Sequence, residues 1–177
     1  DTLTSTDGLW TVNGNGILSF IPTLNYNGVV SINYTINDIS GLTSNSATVT
    51  VTITAVNDAP IATNDTTLTQ EDQAITLDLL INDYDIDNLL AVNSVDLNTI
   101  NPGVQSAINT TAGNWTVNTS GILTFTPALN YNGQAILPYT VKDASSLVSN
   151  IANIIITVNA VNDAPVAFNN YVDRKST

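Results

Sequence analysis

The sequence contains no cysteine and no histidine. Their absence removes cysteine and histidine zinc sites, thiol nucleophiles, redox thiols and the usual Ser-His-Asp triad. No disulfide can staple the fold, so packing alone must build the core. Basic residues are almost missing: Lys plus Arg is 3 against 15 Asp plus Glu, a formal net charge of −12. Arg174 and Lys175 lie near the end of the chain, and only Lys142 stands in its body. With no basic footprint to neutralise phosphates, nucleic-acid binding is excluded, and an anionic membrane surface repels the chain. No apolar run approaches the ~20 residues needed to cross a bilayer, so no membrane insertion is expected. No signal-peptide pattern opens the chain, which reads as an internal piece of something longer.

What is present points to strands. Hydrophobic residues make up 43% of the chain and charged residues only 10%, which is enough apolar content for a core and unlike a disordered composition. Asn (25) and Thr (26) together exceed a quarter of the 177 residues. Thr favours strands and Asn favours turns. Many β-branched residues with few Lys, Glu or Arg argue against helix. The expectation is an all-β protein with polar, uncharged outer faces.

The chain repeats itself. The segment beginning DGLWTVNGNGILSFIPTLNYNG at Asp7 returns as AGNWTVNTSGILTFTPALNYNG at Ala112, an offset of 105 residues. The same offset aligns Tyr34 with Tyr139, Asp38 with Asp143, and the AVNDAP of Ala55 with that of Ala160. About half of the aligned pairs over residues 1–60 are identical, without a gap. The expected domains are therefore the C-terminal part of one repeat (1–60), one whole repeat (61–165) and the start of a third (166–177). Residues 1–60 have no counterpart of 61–105, and a sandwich without those strands exposes apolar faces and open edges. Either the piece is cut from a longer array or another chain supplies the missing strands.

Period-two alternation predicts strands at Thr66–Thr69, Ala74–Leu80, Leu90–Leu97, Val104–Asn109, Trp115–Asn118, Ile122–Thr126, Ala135–Val141 and Ile151–Asn159. Turns fall at Asn101-Pro102-Gly103 and Thr119-Ser120-Gly121. Strands of this number and spacing fit an immunoglobulin-like Greek-key β-sandwich of about 100 residues. Trp115 shares a face with Val117, and Leu123 with Phe125, as do Trp10, Val12, Leu18 and Phe20 in the other copy, so both Trp are assigned to the core. Tyr26 and Tyr131 in LNYNG are expected to pin a corner.

The acids cluster. Asp83, Asp85 and Asp87 alternate in INDYDIDN, with Asp78 just upstream. On a strand, alternate side chains point the same way, and three carboxylates on one side repel unless a cation sits among them. A hard cation with oxygen ligands, calcium, is the economical answer. An EF-hand is rejected: Asn88 stands where its loop needs glycine, and no helix flanks the segment. Asn57-Asp58-Ala59-Pro60 and Asn162-Asp163-Ala164-Pro165 recur at the repeat boundary, where Pro keeps the preceding residue extended. Glu71-Asp72 forms a third cluster between the first two strands.

VNDAP, then ED, then NDxDxD, then PxLNYNG and a TVKD or TIND strand end is similar to cadherin-like tandem repeats of large bacterial surface adhesins and secreted multidomain proteins. The resemblance implies a cadherin-like sandwich with calcium ions at the junctions between domains. By that resemblance Asn57 and Asp58 supply linker ligands at the first junction, and Asn162 and Asp163 at the second. Asp83 and Asp85 cap the first junction from the following domain, Asp87 adds to them, and Asp143 (Asp38 in the first copy) joins the same end. Glu71, with Asp72, serves the second junction. The chain departs from the pattern where LNYN replaces an acidic motif and where each linker carries a single Asp, which implies fewer or weaker ions.

The leading functional expectation is a non-catalytic, calcium-rigidified extender on the bacterial cell surface or in the extracellular space. Each sandwich spans roughly 35–45 Å, and its partners are neighbouring repeats of the same chain. A second expectation is a subunit of an extracellular filament, joined to like subunits by strand donation. A third is a polysaccharide-binding module, which needs an exposed aromatic platform. An enzyme is the least expected, since the acids recur at domain ends rather than around a pocket. The N-x-S/T triplets at Asn64 and Asn114 match what an Asn- and Thr-rich chain gives by chance.

Overall fold

The structure, a computed structural model, describes residues 1–169. The chain divides into two compact units, the first spanning Asp1–Asn57 and the second beginning at Asp58. Part of the expected third repeat, residues 170–177, lies outside the described residues.

The second unit holds β6 (Asp65–Gln70), β7 (Ile75–Asp78), β8 (Ala107–Thr110), β9 (Gly113–Val117), β10 (Ile122–Pro127), β11 (Gly133–Tyr139) and β12 (Ala152–Asn159), and the first unit holds β1 (Thr2–Thr4), β2 (Gly8–Val12), β3 (Leu18–Pro22), β4 (Gly28–Tyr34) and β5 (Ala47–Ile53). In the second unit one sheet runs β7-β10-β9-β8 and the other β11-β12-β6, with β6 parallel to β12. Their inner faces meet in one core. Trp115, Leu123 and Phe125 come from the first sheet, and Leu137, Tyr139, Ile154 and Ile156 from the second. Burying each large apolar side chain contributes about 1.5–3 kcal/mol. The ring centroids of Trp115 and Phe125 lie 4.2 Å apart at 41°, and those of Trp10 and Phe20 lie 4.4 Å apart at 41°. Both Trp are core, which leaves neither as a stacking platform.

The repeat is legible in backbone detail. Asn118 Oδ1 accepts the N–H groups of Ser120 (2.9 Å) and Ile122 (3.0 Å) to close the β9–β10 turn, and Asn13 does the same for Asn15 (2.9 Å) and Ile17 (3.0 Å). Gly113 has φ +152°, and a Cβ there would lie 2.2 Å from the Thr126 carbonyl oxygen. Gly8 repeats this, with φ +156° and 2.3 Å to the Ile21 oxygen. Both positions need glycine so that two strands can approach. Tyr131 donates its hydroxyl to the Gln134 carbonyl at 2.8 Å and pins the expected corner.

The first unit has β1-β2-β3 in one sheet and β4-β5 in the other. Among its described residues nothing occupies the positions that β6 and β7 fill beside β12 and β10. As a result Val49, Val51 and Ile53 on β5 are only half-buried, while their counterparts Ile154, Ile156 and Val158 are buried. An open groove of about 410 Å³ runs between the two sheets, lined by Val12, Leu18, Ile32 and Val49.

Two segments differ from expectation. Leu90–Leu97 is not a strand: it makes single bridges at Leu90 and Asp96 around a 3-10 turn, Val92–Ser94. Alternating polar and apolar residues satisfy either geometry over so short a span. Asp83–Asp87 is not a strand either, but a turn held by one bridge between Ile61 and Tyr84.

Candidate functional site

The residues that enter the second unit are tied to the acidic turn. Pro60 is fully buried, and Ile61 exchanges backbone hydrogen bonds with Tyr84 at 2.8 and 3.1 Å. The Asp58 N–H donates to Asp87 Oδ2 at 3.2 Å. The boundary between the units therefore falls at 57/58, three residues before the repeat boundary at 60/61.

Because the turn is not extended, its three aspartates part company, which corrects the expectation that they share one side. Asp83 turns inward and is buried. It accepts the Thr63 N–H at 2.7 Å and meets the Tyr139 hydroxyl at 3.0 and 3.1 Å. Burial pushes its carboxyl up, against the pull of the Thr63 N–H and the Tyr139 hydroxyl. Asp85 and Asp87 stay together outside. Asp85 Oδ1 accepts the N–H groups of Asp87 (3.0 Å) and Asn88 (2.7 Å). Desolvation raises the Asp85 carboxyl, but these donors outweigh it and hold the group below its ordinary value. Asp87 is pushed up by desolvation, opposed by the Asp58 N–H, and further by the adjacent Asp85 and Asp58 charges.

Asp85 Oδ2 is buried and has no hydrogen-bond partner. An orphaned carboxylate oxygen beside a second carboxylate is the arrangement a hard cation relieves. Among the described residues no group of three or more acids is placed to hold a metal ion. A calcium ion here would draw on Asp85 and Asp87 and complete its shell with carbonyls and water.

Asp143, almost fully buried, holds its own loop: its Oδ1 accepts the Leu147 N–H at 2.7 Å. Asp38 does the same for Ser40 (2.8 Å) and Leu42 (2.9 Å) in the first unit. The Asp143 loop lies against the acidic turn through the Leu90–Asp143 bridge and the Asn88 amide, which donates to Ser145 Oγ at 3.1 Å. Asn57 closes the first unit and is half-buried.

A second expected cluster lies beside the chain that leaves β12. Glu71 is buried; its N–H donates to the Asn159 carbonyl at 2.9 Å, and its carboxylate accepts the Val161 N–H. Asp72, at φ +60°, accepts the Asn130 N–H at 3.0 Å, which turns it toward the LNYNG corner. Asn162 and Asp163 follow Val161 and are exposed; the Asn162 amide donates to the Asp163 carbonyl at 3.2 Å.

Sequence reasoning missed Asp65. It is buried on β6, its Oδ2 has no hydrogen-bond partner, and its carboxyl is pushed up to about 6. Burial is the main cause. The Tyr139 hydroxyl and the Asn82 side chain oppose it, and the Asp83 and Asp78 charges add to it. The Tyr139 hydroxyl also lies 3.1 Å from the Thr63 carbonyl oxygen and 3.3 Å from that of Leu79, so one donor serves a surplus of acceptors. The available signal was Tyr139 itself, since a tyrosine at core phase needs an acceptor.

The family described as Bacterial Ig domain matches residues 1–54 and 57–157. No curated protein sequence matches the chain. Among solved structures, chicken VE-cadherin EC1-2 is similar at 17% identity and TM-score 0.42, covering 85% of this chain and 77% of its own. An endo-fucoidan hydrolase from glycoside hydrolase family 107 is similar at 14% identity and TM-score 0.36 over 91% of this chain. The chain spans 23% of that enzyme's length.

Proposed function

Because this chain belongs to the bacterial Ig domain family, whose members are typically non-catalytic modules of extracellular and surface proteins, we propose that it is a calcium-rigidified extender repeat of a large extracellular adhesin. The observation that carries the reading is the orphaned, buried Asp85 Oδ2 beside the Asp87 carboxylate, with the first residue of the second unit, Asp58, bonded to Asp87. A divalent ion held by Asp85 and Asp87 relieves their repulsion and fixes the entering backbone through Asp58. Without the ion, like charges in a partly desolvated turn push apart and the entry segment gains freedom. Asp83 contributes by fixing the base of the turn through Tyr139 and Thr63. Millimolar calcium outside cells suits a site with few carboxylates.

Small-angle scattering of the whole chain in calcium and in chelator tests the proposal. The expected result is a larger maximum dimension with calcium, and loss of that response in Asp85→Asn/Asp87→Asn. An unchanged dimension, together with no heat of calcium binding by calorimetry, removes it.

A further inference from the structure

We propose that a cleft around Lys142 in the second unit binds the anionic group of an acidic saccharide, a sugar carrying carboxylate or sulfate. The cleft has a volume of about 370 Å³ and is lined by Asp96, Thr99, Thr140, Lys142, Val148 and Ile151 among others. That is the scale of a small-ligand site, about 300–1,000 Å³. This reading is independent of the calcium proposal, since none of these residues belongs to the acidic turn.

Lys142 is the only basic side chain among the described residues of a chain with 15 acids. The residue is half-buried in the cleft wall. The fold does not require a lysine there. In the first unit the equivalent residue is Asn37, and it makes the same backbone bridge, Asn37 to Thr43, that Lys142 makes to Val148. The charge is thus carried by a position whose structural work an uncharged side chain performs equally well.

Among the described residues the rest of the cleft has no aromatic platform, so a sugar would be held there by polar groups and a small aliphatic wall. Asp96 Oδ1 accepts the N–H groups of Asn98 (2.9 Å) and Gln105 (3.0 Å), and its other oxygen has no protein donor among the described residues. That oxygen is an acceptor for ligand hydroxyls. The Thr99 and Thr140 hydroxyls can donate and accept. Val148 and Ile151, 49% and 60% exposed, provide an apolar wall for the C–H face of a ring. Backbone hydrogen bonds between Asp96 and Thr140 at 2.9 and 3.1 Å fix the two sides of the cleft before any ligand arrives, which lowers the ordering cost of binding. Overall negative charge repels anions at long range, so a single ammonium makes recognition local and salt-sensitive. The first unit has no counterpart of Asp96 or Thr99, so the site occurs once in the described residues.

The test uses the full ¹⁵N-labelled chain in chelator, titrated with an oligogalacturonate, a sulfated galactan oligomer and a neutral cello-oligosaccharide of the same length. The expected result is amide shifts at Thr99, Thr140, Lys142, Val148 and Ile151 with at least one acidic oligomer and none with the neutral one. Whichever acidic oligomer binds identifies the anion. Lys142→Gln should weaken binding about tenfold or more, while Lys142→Arg retains it. Spectral dispersion reports the fold separately. No shift at these amides with either acidic oligomer, equal binding of the neutral one, or undiminished binding by Lys142→Gln overturns the proposal.

Discussion

Replacing Asp65 by asparagine should stabilise the second unit at neutral pH. Asp65 is 5% exposed, and its carboxyl is raised from 3.8 to about 6 in the folded chain. Ionising it there costs about 3 kcal/mol more than in the unfolded chain, since each tenfold gain in proton affinity is worth about 1.4 kcal/mol. The sign follows from proton counting. Between the unfolded and folded values the folded state binds more protons, so stability attributable to Asp65 is highest below the unfolded value of 3.8 and falls until about pH 6, staying flat above it. Asparagine keeps an acceptor for the Tyr139 hydroxyl and the Asn82 side chain, and its amide can donate toward the Asp83 carboxylate. Local relaxation and water entry take part of the penalty, so a gain of about 1–3 kcal/mol at neutral pH is expected, shrinking toward zero near pH 4. Urea unfolding in a Trp10→Phe background leaves Trp115 to report on the second unit. A variant destabilised equally at both pH values would refute the reasoning, because it would mean that the ionised carboxylate is satisfied where the geometry leaves it bare.

Tyr139→Phe removes the hydroxyl that faces Asp83 and should cost about 1.5–3 kcal/mol in urea unfolding, less at acid pH where the carboxyl carries its own proton. Gly113→Ala places a Cβ 2.2 Å from the Thr126 oxygen and should cost about 3 kcal/mol or more, whereas Gly14→Ala, with nothing within 4 Å, should stay within about 0.5 kcal/mol; thermal melts compare the two. Glu71→Gln weakens the acceptor of the Val161 N–H and should speed hydrogen exchange at that amide by about tenfold, read by NMR, with β9 and β10 unchanged.

The strands most readily read from the sequence were those whose alternation is set by burial on one face. Ile154, Ile156 and Val158 on β12 and Trp115 with Val117 on β9 carry a period-two signal that only a half-buried strand satisfies. The turn at Asn118 and the corner at Tyr131 were readable because their residue types serve one local purpose. The acidic segment was not. Alternating aspartates fit a strand by spacing, but Ile61 pairs with Tyr84 alone, and the remaining residues curl so that Asp85 can accept two successive N–H groups. That curl sends Asp83 to Tyr139 and keeps Asp85 with Asp87. Asp65 was hidden for another reason: its partners, Asn82, Asp83 and Tyr139, come from a turn and from β11, and nothing near Asp65 in sequence announces them.

In the second unit, the strand where the chain enters and the strand where it leaves are neighbours and run the same way. Six residue pairs, from Asp65–Ile154 to Gln70–Asn159, join β6 to β12. Tension applied to the two ends of this unit would try to slide the two strands past one another. The hydrogen bonds of a parallel ladder are evenly spaced, so they would resist such sliding together instead of unzipping in turn. A sandwich built this way resists shear between its two ends through all six pairs at once.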